Sequence, residues 1–273
     1  MRRAGGTLAL HAALVGGAAL TLAPLLWMVS ASLMPTGEAS TFPPRFWPSA
    51  VTFEHYVDLF TRLNLARGFL NSTLVAVGST LISVLTNGMA GYAFAKLRFR
   101  GRDRVFQLLL AALVIPAQVG MLPLFLLLKA LGLVNTLWGV MIPGLASVFG
   151  IFLVRQYALA VPDDLLDAAR LDGASEMAIF WTVVMPVIRP ILVTLAAFNF
   201  LSMWNDFMWP LIVVSDDSRF TLPVALASLV GEHVQDTELM MAGSVLTVLP
   251  VLLVFLVLQR VYTRGVLMGS IKG

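Results

Sequence analysis

Residues 239–258 read LMMAGSVLTVLPVLLVFLVL, twenty positions without a single charged side chain. A helix needs about 20 mostly apolar residues to cross the ~30 Å hydrocarbon core of a bilayer, and this run meets that length. Five other runs reach or exceed it: 7–33, 69–95, 105–128, 137–159 and 190–214. Across the 273 residues, 59% are hydrophobic and 12% charged, where soluble domains average about a quarter charged. None of the runs is a period-two alternation of about ten residues, which argues against a transmembrane barrel. The sequence predicts an all-α integral membrane protein with about six transmembrane helices in one domain spanning 1–273.

The first run begins behind Arg2 and Arg3, and Ser30-Ala31-Ser32 imitates the small-residue cleavage site of a signal peptide. Its apolar length is well beyond the 7–15 residues of a signal core, so it is read as a span. Charge then orients the chain. With the N-terminus inside, the inner segments carry 13 of the 18 Lys and Arg residues, and the outer segments carry Arg45, Arg62, Arg67, Lys129 and Arg219. The positive-inside rule therefore predicts both termini in the cytoplasm. The basic run Lys96, Arg98, Arg100, Arg102, Arg104 lies between two spans and is read as an orientation signal, not a nucleic-acid surface.

Cysteine is absent, which excludes disulfides and thiolate metal sites. His11, His55 and His233 are scattered and form no ligand set. Three segments between spans are long enough to carry function. Residues 34–68 are external and proline-rich (Pro35, Pro43, Pro44, Pro48), hence extended and turn-rich. Residues 155–189 are cytoplasmic, and 215–238 are external and acidic.

The cytoplasmic segment carries the sharpest local pattern. In Val161-Pro162-Asp163-Asp164-Leu165-Leu166-Asp167-Ala168-Ala169-Arg170-Leu171-Asp172-Gly173, Pro162 suits a helix N1 position and the two following aspartates suit the positive end of the helix dipole. Gly173 suits the left-handed residue that ends a helix. Ser175 and Glu176 then start a second helix that runs to the region of Pro186. A short helix, a tight turn and another helix make a stiff element, and Ala168 and Ala169 offer a small surface for close packing by a partner.

These residues also carry a resemblance. Permease subunits of ABC importers show Glu-Ala-Ala, three residues, Gly, nine residues, then Ile-x-Leu-Pro. Here Asp167-Ala168-Ala169 is followed at the same spacing by Gly173 and by Val183-Val184-Met185-Pro186, with Asp for Glu, Val for Ile and Met for Leu. The chain resembles the maltose-type carbohydrate permeases along nearly all its length. The matching stretches are Ser32-Leu33 with Pro43-Pro44, Asn71-Ser72-Thr73, Gly91-Tyr92-Ala93-Phe94-Ala95, Trp204-Asn205-Asp206, Thr221-Leu222-Pro223-Val224, and Gln259-Arg260 through Ile271-Lys272-Gly273. Before the final Lys-Gly, relatives show small residues where this chain has the bulkier Val266-Leu267-Met268-Gly269. The resemblance implies a bacterial or archaeal plasma-membrane subunit that pairs with a second, different permease. It further implies two ATPase subunits and an external solute-binding protein that delivers a sugar-like solute. The loop 160–190 becomes the coupling element, with Asp167, Ala168, Ala169, Gly173 and Pro186 as its residues.

The lysines are Lys96, Lys129 and Lys272, and none follows glycine, so the Gly-Lys-Ser/Thr of a phosphate-binding loop is missing. No cofactor is expected on this chain; ATP would be held by the partner subunits. Polar side chains within spans are costly and mark candidate sites. Asn199, Ser202, Asn205, Asp206 and Trp209 fall within an arc of about 120° on a helical wheel, a stripe suited to a hydroxyl-rich solute. The same groups would serve equally for hydrogen bonding between helices. Trp204 falls on the other side and is read as a lipid or packing residue. Asn71, Asn87 and Gln118 are weaker candidates, and Pro116, Pro123, Pro143 and Pro250 mark kinks. A proton-coupled secondary transporter titrating Asp206 is the alternative; a membrane scaffold without transport leaves the stripe and the loop unexplained.

Overall fold

The computed structural model describes residues 2–61, 65–232 and 236–269. Arg62, His233 and the terminal Lys272 lie outside the described residues. Every regular element among the described residues is helical. In chain order the α-helices are α1 (Arg2–Ala31), α2 (Glu54–Thr61), α3 (Leu65–Lys96), α4 (Arg102–Ala112), α5 (Ala117–Ala130), α6 (Leu137–Met141) and α7 (Val148–Leu159). They continue with α8 (Asp163–Leu171), α9 (Glu176–Ile179), α10 (Met185–Trp204), α11 (Met208–Val213), α12 (Leu222–Glu232) and α13 (Thr237–Gly269). The chain divides into two compact units. One comprises residues 1–66 and 225–250; the other comprises 67–224 and 251–273.

In the first unit α1 ends at Ala31, and the chain turns beneath a small cluster of Ala31, Met34 and Ala39, packed by Trp27 and Met241. The start of α13 is tied to this segment through the buried Glu238, whose Oε1 accepts the Ala39 amide at 2.6 Å. Residues 54–61 were expected to be irregular and form α2. The proline cluster ends at Pro48, and His55 and Leu59 supply a buried face one turn apart. Likewise α12 lies within the segment expected to be an acidic loop, where 222–232 is mostly apolar.

The second unit holds the other spans. At 1.5 Å per residue the 32 residues of α3 extend about 48 Å, more than the ~30 Å core, so its two ends mark opposite membrane surfaces. At the first end, Asn71 Nδ2 donates to the carbonyls of Ser218 and Phe220. Asn135 Oδ1 accepts the amides of Ser215 and Asp216. At the other end, Lys96 Nζ reaches Asp163 and the Val161 carbonyl, both at 2.7 Å. The α5–α6 turn is thus at the surface where α3 begins, and the α7–α8 turn at the surface where it ends. Each of the two intervening helix pairs therefore crosses once. With the four continuous spans, Leu10–Ala31, Leu65–Lys96, Glu176–Trp204 and Thr237–Val257, six crossings result.

Both intervening spans are broken, as their prolines suggested. The pair α4 and α5 bends by 106°. Ahead of Pro116 the amides of Leu113, Val114 and Ile115 fall back to i−3 carbonyls, the tightened final turn of a helix whose next residue lacks an N–H. The pair α6 and α7 bends by 42° beyond a 3₁₀ turn at Ile142–Gly144. There α3 satisfies the exposed backbone. The buried Asn87 accepts the Ser147 amide at 2.9 Å, and Thr86 Oγ1 donates to the Leu145 carbonyl.

The fifth span departs from expectation at both ends. It starts at Glu176, not 190, and passes Pro186 without stopping because a π-turn at Phe180–Val184 precedes α10. The Met185 amide bonds to the Phe180 carbonyl, five residues back. The wider turn makes room for a proline ring that would crowd the carbonyl four residues upstream. The span closes at Trp204, and α11 is a separate short helix.

Candidate functional site

α8 stands at the surface where α3 ends. Pro162 is its N-cap, not N1, with ψ at 132°, because the chain enters from an extended conformation that proline tolerates. Asp163 and Asp164 occupy the first turn as expected. Gly173 has φ +82°, its amide bonds to the Arg170 carbonyl, and the Ala174 amide bonds to the Ala169 carbonyl. That pair of bonds is the Schellman closure, with Gly173 in the left-handed position. Ser175 then caps α9 by accepting the Ala178 amide.

Leu166 is the one fully buried anchor of α8, packed in a core with Tyr92, Val154, Ile179 and Ile188. Burying a leucine contributes about 2 kcal/mol. Polar ties add to it. Arg170 donates to Asp167 and to Glu176, both at 2.8 Å, and the Tyr92 hydroxyl donates to Glu176 at 2.6 Å. The hydrogen bond and charge of Lys96 hold the Asp163 carboxyl below the usual carboxylate range. Hydrogen bonds to Glu176, then Asp167, push the Arg170 guanidinium further toward its charged form. α8 is therefore fastened to both α3 and the start of the fifth span.

The expected coupling residues divide. Asp167, Ala168 and Gly173 are exposed, whereas Ala169 is half-buried against the core. Pro186 is apart from them; it lines a cleft of about 760 Å³ with Thr80, Leu85, Trp181 and Arg189. Two residues were missed. Leu165 is 51% exposed and Leu171 90%, and with Ala168 they cover an arc of about 120° at 100° per residue. The signal was present as a second apolar stripe, flanking that of Leu166 and Ala169.

The polar stripe does not persist as one face, because the helix stops at Trp204. Asn199 donates to Thr80 Oγ1 at 3.3 Å, and Ser202 is exposed. Asn205 folds back onto the Leu201 carbonyl at 2.8 Å. Asp206, half-buried in the break, accepts the Trp209 amide at the start of α11. Trp209 is buried and its indole donates to the Gly139 carbonyl at 3.1 Å. Trp204 is buried too, edge-on to Phe69 and stacked on Phe200. Of the weaker candidates, Asn71 and Asn87 bond to backbone, while Gln118 is exposed.

Comparison with known proteins agrees with this architecture. The chain is 38% identical over 253 residues to the arabinooligosaccharides transport system permease protein AraQ of Halalkalibacterium halodurans, covering 92% of this chain and 91% of that one. It is 34% identical to the lactose transport system permease protein LacG of Rhizobium radiobacter, over 93% and 92% of the two chains. A chain from the crystal structure of a bacterial ABC transporter involved in the import of the acidic polysaccharide alginate superposes with a TM-score of 0.82 and 25% identity, covering 95% of this chain and 98% of that one. Residues 87–267, which contain the whole of α8 and the fifth span, match the binding-protein-dependent transport system inner membrane component, and the chain belongs to that family.

Proposed function

We propose that this permease carries an oligosaccharide or similar sugar-like solute and is driven through α8. The exposed face of α8 carries the proposal: Leu165, Ala168 and Leu171 stand in water on a helix pinned from behind by Leu166 and Arg170. Such a face suits a cleft on an ATPase subunit, with Asp167 and Gly173 at its margin. ATP is bound by separate polypeptides, since this chain lacks a Gly-Lys-Ser/Thr phosphate loop. A second, different permease subunit completes the path, and both termini face the cytoplasm. The relatives named for arabinooligosaccharides and lactose support the solute class. Asn199 and Ser202 of the fifth span, with Asn205 and Asp206 in the break that follows it, are the groups offered to it; Trp209 serves packing.

The test is co-purification of the assembled importer with Ala168→Asp or Leu171→Arg. Both positions are exposed, so the membrane protein folds while the ATPase is lost. Ala169→Asp separates the two effects poorly, because Ala169 also packs against the core. An ATPase retained at wild-type level by both variants would refute the assignment of this face. Asn205→Leu, with the ATPase retained, is expected to lower solute uptake.

A further inference from the structure

Residues 42–47 present Phe42, Phe46 and Trp47 at 96%, 68% and 80% exposure, far more aromatic surface than a loop leaves in water without a use. Their depth is fixed by hydrogen bonds to the first span. The Trp27 indole donates to the Arg45 carbonyl, and the Ser30 hydroxyl donates to the Phe46 carbonyl. Trp27 and Ser30 occupy the last turn of α1, which ends at Ala31. The loop thus folds back alongside the last turn of α1.

The polar content of the loop is already neutralised. Arg45 pairs with Glu38 at 3.0 Å, and Ser49 donates to the same carboxylate. Pro43, Pro44 and Pro48 have no amide N–H to leave unsatisfied, which lowers the cost of partial dehydration. α2 continues the pattern. The Thr52 amide bonds to the Leu33 carbonyl just past α1, and Phe53, Val57 and Phe60 stand exposed at helical spacing while His55 and Leu59 are buried.

We infer that residues 42–60 form an aromatic foot seated in the lipid headgroup layer, anchoring the end of the first span. Trp and Phe favour that layer because an apolar ring gains from the acyl boundary without requiring full dehydration of its surroundings. The occupant is phospholipid, because the foot is hydrogen-bonded to the last turn of α1, a helix long and apolar enough to cross the membrane.

The chain has no cysteine, so Phe42→Cys, Phe46→Cys and Trp47→Cys each introduce its sole thiol for a spin label. The full importer, with partner thiols replaced, is reconstituted in phosphatidylglycerol–phosphatidylethanolamine nanodiscs. Labels at all three positions are expected to collide more often with oxygen than with a water-soluble nickel chelate. They should report a depth at the headgroup boundary, shallower than Leu20→Cys in mid-span. Retained ATPase association shows that each variant is assembled. Collisions dominated by nickel would place the loop in water, and suppression of both quenchers would place it under another protein; either overturns the inference.

Discussion

Gly173 holds its left-handed φ of +82° with nothing within 4 Å of where a Cβ would stand. A substitution there is penalised by the backbone and not by a clash. Gly173→Ala should destabilise the end of α8 by about 1–2 kcal/mol, and Gly173→Asn less, since asparagine tolerates that region. ATPase retained after graded heating of the purified importer should rank glycine, asparagine, alanine, then valine. At the other end of α8, the folded-state pKa of Asp163 is depressed by Lys96. The pair therefore contributes above the ordinary carboxylate pKa, and its contribution is lost as pH falls through the depressed value. The thermal midpoint difference between wild type and Asp163→Asn should be flat from pH 8 to about 5 and shrink below about 4. The C-terminal cap of α8 was legible in the sequence because it depends on residues within one turn, whereas the N-cap fell one residue from its expected place, at Pro162. The role of Trp209 was not, because it depends on a partner far along the chain, Gly139.

Helices in this protein meet where side chains are smallest. A Cβ at Gly91 would lie 2.6 Å from the Val154 side chain and 2.9 Å from the Arg155 amide nitrogen, so α3 and α7 approach to backbone contact. Gly91→Ala is expected to cost about 1–3 kcal/mol through overpacking, read as a lower midpoint for loss of the monodisperse complex in detergent. Val154→Ala should not rescue it, because the Val154 Cβ and the Arg155 backbone are themselves in the way. Gly91 was quoted only as part of a resemblance; spacing gave no hint of its close contact. The existence of six spans was legible because twenty apolar residues have few alternatives. Their breaks were legible where a proline marks them, at 116 and 143. The break at 205–207 holds neither proline nor glycine itself, and its proline marker is Pro210, which cannot donate to the Asp206 carbonyl. It rests on Asn205 bonding backward and Asp206 bonding forward, and a helical wheel assumes the continuity that those two bonds end.

For the molecule as a whole, hydrogen bonds at the two ends of α3 count the crossings more securely than hydropathy does. They place the two ends of each bent pair at opposite ends of α3. What the chain leaves unfinished is also a property of the whole. Leu171, at 90% exposure on a helix outside the bilayer, is the kind of apolar side chain that chaperones and proteases recognise in orphaned proteins. The permease is therefore expected to be short-lived when synthesised without its ATPase, with Leu171→Ser lengthening its lifetime in pulse–chase labelling. Co-synthesis of the ATPase should lengthen the wild-type lifetime and leave Leu171→Ser unchanged. The face proposed to dock the ATPase would then also decide which copies of the subunit survive, and stoichiometry in the cell would be set by degradation of the surplus.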